Sequence, residues 1–372
     1  MTRLYVDVHV LQTVPPSNLN RDDAGAPKQA VYGGARRVRV SSQAWKRATR
    51  KSFAQADTGV ELSLGTRTKA LRELLERRFA ANGHDAETAE RWSLAALTAM
   101  KLKVDGKRPK DTQYLLFLGQ QQLDELARTV EQGMSHSQQL DEASVQAALR
   151  SGHSVDVALF GRMVADLATL NVDAATQVAH ALSTHAIDTE FDYFTAVDDE
   201  NEAGETGAAM IGTVEFTSAT LYRYATVGVH QLRDNLDGDE ATVRAALKAF
   251  LLGFVTSMPT GHQSSFAHRT TPDLVTFVVR QDQPVNLVSA FEEPVTGPGI
   301  ARRSVARLNQ ELARCTRLWC APPRLLVSTY EPRAGDEQEA DLAALGELVG
   351  LQDAVTRVLE AVSADVPAAT PA

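Results

Sequence analysis

The run YGGARRVRVSSQAWKRATRKS, Tyr32 to Ser52, places a turn, a strand and a helix in quick succession. Gly33 and Gly34 signal the turn, and beyond them Arg37 and Arg39 alternate with Val38 and Val40 at the two-residue period of a half-buried strand. Such a strand is expected to pack its valines and present both guanidinium groups. Ser41 and Ser42 are N-cap candidates for a following helix, in which Gln43, Lys46 and Arg50 recur at i, i+3 and i+7 and share a face.

Widening the window to Arg21 through Lys51 gives nine basic side chains, Arg21, Lys28, Arg36, Arg37, Arg39, Lys46, Arg47, Arg50 and Lys51, against Asp22 and Asp23. That is a local excess of seven positive charges in a chain of formal net charge -9, which leaves about -16 elsewhere. Screening confines a charge to about 10 Å at moderate salt, so the cluster can hold a polyanion that the whole molecule would repel. A helix N-terminus adds free N–H groups and partial positive charge, and Lys46 and Arg50 follow one and two turns later. Most basic runs are merely solvated faces. The scarcity of balancing acids and the capped helix start favour a phosphate rail for nucleic acid.

With 372 residues, 44% hydrophobic and 23% charged, the chain can bury a substantial core and is expected to form two or three units. No apolar run approaches the roughly 20 residues that span a bilayer, and MTRLYVDVHVLQ alternates like a strand rather than resembling a secretion signal. Cys315 and Cys320 are too few for a disulfide framework or a four-cysteine zinc site, read as core residues, and suit a reducing cytoplasm. No glycine-rich phosphate loop, H-E-x-x-H or G-x-S-x-G motif is present, and neither cofactor nor metal is expected.

A strand over Leu4–Leu11 precedes a polar loop from Thr13 to Lys28. From Thr66 to Ala186 the periodicity turns helical, with helices expected at Lys69–Ala81, Ala86–Lys101, Leu115–Glu131, Asp141–Arg150 and Val172–Ser183. Beyond it come strand pattern over Val214–Val227, a helix over Thr242–Ser257, a strand over Leu274–Val279, a helix over Ala301–Trp319, a strand over Arg324–Thr329 and a last helix over Glu339–Val362. Strands and helices therefore alternate on both sides of a helical insertion, which reads as an interrupted α+β sheet domain.

The runs LNRDD (Leu19–Asp23), YGGARRVRVSSQAWKRATRKS (Tyr32–Ser52), VDVALFGRM (Val155–Met163), AHALSTH (Ala179–His185), FDYFTAVDD (Phe191–Asp199) and GTVEFTSATLYRYA (Gly212–Ala225) resemble, in this order, the CasC family, the CRISPR RNA-binding backbone subunit of the type I-E CRISPR Cascade complex. The rest of the chain resembles it in pattern. The resemblance implies an α+β, right-hand-like fold: a modified RRM or ferredoxin-like palm (1–57 and 220–363), inserted helical fingers (58–186), a β-hairpin thumb (187–219) and a disordered tail (364–372). It further implies a subunit that polymerises along a guide, grips its backbone and displaces bases at regular intervals so that the guide can pair with target DNA. The implied partners are CRISPR RNA, target DNA through the guide, other copies of the chain, and the large, small and guide-end-capping Cascade subunits; no membrane is implied.

Carried over by position, the family's guide contacts fall on Arg21, Lys28, Ser41, Gln43, Lys46, Arg50, Met163, Phe194 and Thr195. Lysine, arginine, hydroxyl and amide groups meet phosphate and ribose without reading sequence, as a subunit serving any guide must. Met163 and Phe194 offer apolar surface to bases, although either residue type is more often core. Arg37 and Arg39 could meet the guide or acids of a neighbouring copy. His262 and Gln263, in the polar segment PTGHQSSFAHR (Pro259–Arg269), could donate to phosphate.

Two other readings remain. A metal-dependent nuclease would draw on Asp188, Asp192, Asp198 and Asp199, but their spacing does not demand convergence, and His180 and His185 are poorly spaced for one helical face. A monomeric single-strand RNA binder would keep the rail and drop the polymer. The expectation is a protein without enzymatic activity.

Overall fold

The long strand β1 (Tyr5–Ser17) is buried along most of its length because it lies inside a sheet rather than at an edge. The structure, a computed structural model, describes residues 3–108, 111–136, 140–164, 167–196, 210–332 and 342–364. Contacts divide the chain into two compact units: Phe53–Gln177 with Val227–Phe250, and Leu4–Ser52 with Val178–Thr226 and the chain from Leu251 onward.

The second unit holds a mostly antiparallel sheet ordered β12-β11-β10-β1-β9-β7-β3-β2, where β2 is Gln29–Tyr32, β3 Ala35–Val40, β7 Ala181–Ser183, β9 Met210–Gly228, β10 Leu274–Arg280, β11 Leu325–Thr329 and β12 Glu347–Leu348. Tyr5 faces Arg280 and Leu11 faces Leu274 across the β1–β10 pair. The first half of β9 forms a hairpin with β8 (Glu190–Ala196), in which Phe194 is opposite Gly212.

Alternation along β9 assigns its side chains to two layers. Leu221 packs with Val38, Val40 and Trp45, the last from α1 (Ser42–Ser52), whereas Tyr222 and Tyr224 join Phe291 and the apolar side of α10 (Ile300–Leu318), including Leu308 and Leu312. Helices α1 and α10 therefore cover opposite faces of the sheet. The final helix, α11 (Leu351–Ser363), begins at Leu351, because the chain before it turns at Gly346, with φ +72°, and Gly350 forms its N-cap; the expected start at Glu339 lies outside the described residues.

The first unit is built on α2 (Leu71–Ala81), α3 (Ala86–Ala99), α4 (Gln120–His136) and α5 (Glu142–Ala147). Leu75, Phe79, Trp92, Leu123, Leu126, Val130 and Val145 meet in its core. Asp85 and Asp141 cap α3 and α5 through the N–H groups of Thr88 and Ser144. The expected helix at Leu115–Glu131 instead starts with a buried strand, Leu116–Gly119, paired with Gly65–Thr68, and Val172–Ser183 forms two short strands rather than a helix. LFLG is a buried apolar run too short for its period to separate strand from helix.

Candidate nucleic-acid interface

The β2–β3 turn is fixed by contact with a distant loop. Gly33 and Gly34 have φ of +56° and +73°, and a Cβ on Gly33 would come within 1.7 Å of the Glu292 carbonyl oxygen. Only glycine fits there. The expectation that β3 presents both arginines fails at Arg37, which is fully buried and donates to the carbonyls of Tyr32 (3.3 Å), Ser183 (3.0 Å), Phe291 (2.9 Å) and Glu292 (3.0 Å). Its guanidinium satisfies main-chain acceptors beneath that loop and offers nothing to a phosphate. Arg39 is half-buried, donating to the Gln29 carbonyl and to His180 Nδ1, each at 3.3 Å. Burial, then the charges of Arg39 and Lys28, hold the pKa of His180 below its ordinary value.

Helix α1 begins as its serines suggest. The Ser41 hydroxyl accepts from the Ala44 N–H at 3.3 Å, and the Ser41 N–H donates to Asn20 Oδ1 at 2.8 Å, so this buried residue caps the helix and ties it to the preceding loop. Trp45 and Thr49 form the packed face. Gln43, Arg47 and Lys51, spaced i, i+4, i+8, are exposed, while Lys46 and Arg50 flank that row on the other side and are half-buried. Burial lowers the pKa of Lys46.

The exposed row forms one wall of a groove of about 840 Å³. Arg21, Lys28, Ser41, Gln43, Arg47 and Lys51 line it, together with Gly261 at its rim. Asp22 and Asp23 also border the groove, but Asp22 Oδ1 is committed to the N–H groups of Ala24 (3.0 Å) and Ala26 (2.9 Å), which shapes the Arg21–Lys28 loop. A Cβ on Gly261 would lie 2.3 Å from the Leu19 carbonyl oxygen, so the two loops pack backbone to backbone. The groove is thus assembled from three separate segments of chain.

Arg21 Nη1 donates to His262 Nε2 at 3.0 Å and links this groove to a neighbouring depression lined by Thr260, His262, Gln263, Ser264, Ala267 and Arg269. His262 and Ala267 adopt the left-handed region, with φ of 48° and 44°, at either end of the short helix Gln263–Phe266. His262 and Gln263 therefore adjoin the basic groove.

Phe194 and Thr195 lie on the β8–β9 hairpin. The Phe194 ring covers Gly212, where a Cβ would sit 2.3 Å from the ring, and Phe191 and Tyr193 point outward at 66% and 63% exposure. Met163 belongs to the other unit. It is 83% exposed, whereas adjacent Arg162 is buried, donating to the carbonyls of Leu170 (2.7 Å) and Leu149 (2.9 Å). The opposite fates of these neighbours make Met163 a displayed side chain rather than a core one.

Among the described residues no three His, Cys, Asp or Glu side chains gather where they would hold a metal ion; Asp198 and Asp199 lie outside those residues. Cys315 lies on the buried side of α10, in the core, and Cys320 packs against the same cluster. The helical spacing singled out Lys46 and Arg50 but missed Arg47 and Lys51. The signal was Trp45: once it is taken as the buried centre of α1, residues two and six positions on face outward.

The sequence matches the model of the CT1975-like protein family over residues 6–354. Among solved structures, it is similar to a chain of a "CRISPR RNA-guided surveillance complex, pre-nicking", with 34% identity and a TM-score of 0.83 over 96% of this chain and 99% of that one. It is also similar to a chain of a "CRISPR RNA-guided surveillance complex", with 30% identity and a TM-score of 0.74 over the same shares. A search of curated proteins gave no match.

Proposed function

Because the chain belongs to the CT1975-like protein family and resembles subunits of CRISPR RNA-guided surveillance complexes along nearly its whole length, we propose that it is the CRISPR RNA-binding backbone subunit of such a complex, of type I-E. The observation that carries this reading is the groove, in which Arg21, Lys28, Gln43, Arg47 and Lys51 present cations and an amide to a backbone. Such groups bind phosphate and ribose and carry no base code, which suits a protein that must accept any guide.

In this reading several copies follow one guide, each gripping its phosphates in the groove. Phe194 and Thr195 on the hairpin supply the surface against which a base is turned out at regular intervals, leaving the bases between free to pair with target DNA, and Met163, on its own unit, offers apolar surface to a base. His262 and Gln263 extend the phosphate path, while Arg37 is assigned to the fold. The subunit performs no catalytic step; its partners are the guide, other copies and the remaining subunits of the complex.

The test is nuclease footprinting on a CRISPR RNA, titrated to saturation while particle mass is followed. Regularly spaced protection that grows with mass is expected. A single fixed footprint would indicate a lone RNA binder, and Mg²⁺-dependent loss of the RNA would indicate a nuclease.

A further inference from the structure

Helix α10 carries a second basic surface that the groove does not use. Its 19 residues, IARRSVARLNQELARCTRL, hold five arginines against one glutamate. Arg303, Arg307, Arg314 and Arg317 follow i, i+4, i+11 and i+14 along one side, opposite Val305, Leu308, Leu312 and Cys315, which pack into the core. Arg303 donates to the Pro298 carbonyl at 3.1 Å and Arg307 to the Glu293 carbonyl at 2.6 Å, while Arg314 is paired with Glu311 at 2.7 and 2.6 Å. Local partners, including the Glu293 carboxylate 3.9 Å from Arg307, thus hold the guanidinium groups of Arg303, Arg307 and Arg314 in place, and Arg317 continues the row by its spacing. Where the row ends, Leu318 and Trp319 stand 56% and 70% exposed.

The sheet separates this row from the groove. Arg223 on β9 points toward Trp45 and α1, whereas its neighbours Tyr222 and Tyr224 pack beneath α10. A nucleotide seated against α1 cannot also reach Arg317 or Trp319 of the same copy.

We propose that the outer side of α10 is a second nucleic-acid site, which takes the phosphates of an unpaired strand along its arginines and stacks a base on Trp319. From Arg303 to Arg317 the helix advances about 21 Å at about 1.5 Å per residue. That length matches about six stacked nucleotides at about 3.4 Å each. A cationic track beside an open aromatic face is the composition of single-strand binding surfaces, and the indole favours an unpaired strand because bases within a duplex have no free face to stack. Neither group reads sequence, so the site accepts a strand of any sequence.

The test uses the full chain saturated with CRISPR RNA and titrated with the twelve-nucleotide strand (dT)12 while tryptophan emission is followed. Trp45 and Trp92 are 0% and 5% exposed, so quenching reports Trp319. Saturable, salt-sensitive quenching is expected. Trp319→Phe should keep the affinity and lose the signal, and Trp319→Ala should weaken binding about ten-fold. Arg303→Ala with Arg317→Ala should lower the salt slope by about 1.4 while leaving the affinity for CRISPR RNA unchanged. Binding without quenching, or with an unaltered slope in the double variant, would overturn the proposal. So would poly-glutamate binding the row as tightly as (dT)12, which would assign it to an acidic protein. Should the chain bind no CRISPR RNA, the titration is run on the chain alone, and Trp319 quenching decides it independently of the guide reading.

Discussion

The guanidinium carbon of Arg223 lies 3.8 Å from the centroid of the Trp45 ring, with both side chains out of solvent. Arg223 also donates to Gln12 Oε1 at 2.6 Å and to the Phe254 carbonyl, and lies 4.8 Å from the Phe254 ring. One side chain from β9 therefore joins β1, the helix carrying Phe254 and the packed face of α1. Burial lowers its pKa to about 9, so it remains a cation at neutral pH.

Arg223→Ala should destabilise the protein by about 3–5 kcal/mol, since it opens a cavity under Trp45 and leaves the Gln12 and Phe254 oxygens without their donor. Arg223→Lys should recover only part of this, because an ammonium lacks the flat face that stacks on the indole. Urea unfolding measures both. A loss under about 1 kcal/mol for the alanine variant would show that Trp45 is positioned by other contacts.

On the groove wall, Arg47→Ala combined with Lys51→Ala should weaken CRISPR RNA binding uniformly across guide sequences and lower the salt slope by about 1.4, at about 0.7 per cation on a single strand. Both residues are exposed, so stability should change by no more than about 0.5 kcal/mol per substitution. An unchanged slope would place the guide on the Lys46 and Arg50 side of the helix alone.

Period and composition made much of this interface legible. Ser41 and Gln43 mark the start of α1, and Arg21 and Lys28 line the groove beside it. Arg37 defeated the reading because a two-residue period assigns residues to a face without saying whether that face is covered. Its cover, the loop at Glu292, lies 255 residues away in sequence. Arg47 and Lys51 were passed over because every outward position of α1 is polar, so charge alone did not distinguish one row from the other. The groove itself depends on Gly261 meeting Leu19, a contact between distant loops that no local pattern encodes.

Arg37 and Arg39 should separate cleanly under substitution. Arg37→Ala removes the donor to four carbonyls and should cost about 3 kcal/mol or more in unfolding free energy. Arg39→Ala should cost about 1 kcal/mol or less, since its side chain is only half-buried. Denaturant midpoints for the pair decide the point, and equal losses would mean that Arg39 is as deeply involved in the fold as Arg37.

Beneath the α10 layer, His9 Nδ1 hydrogen-bonds the Tyr222 hydroxyl at 2.9 Å, Tyr224 donates to Asp7 Oδ1 at 2.9 Å, and Arg280 Nε is 3.5 Å from Asp7 Oδ2. Burial raises the Asp7 pKa to about 6, and burial with the charge of Arg280 lowers that of His9 to about 3. Between about pH 4 and 6 the folded Asp7 keeps a proton that the unfolded one has lost, so its contribution to stability falls as pH rises. Over the same interval the unfolded His9 holds a proton that the folded one lacks, so its contribution rises. The two slopes oppose each other and nearly cancel. Asp7→Asn should therefore make stability rise with pH more steeply than in the parent, by up to about 1.4 kcal/mol per pH unit between pH 4 and 6. His9→Gln should produce a difference of the opposite sign, which keeps the test usable if the asparagine variant folds poorly. Urea midpoints taken every half pH unit provide the comparison. Parallel curves for parent and both variants would show that neither group changes its proton occupancy on folding.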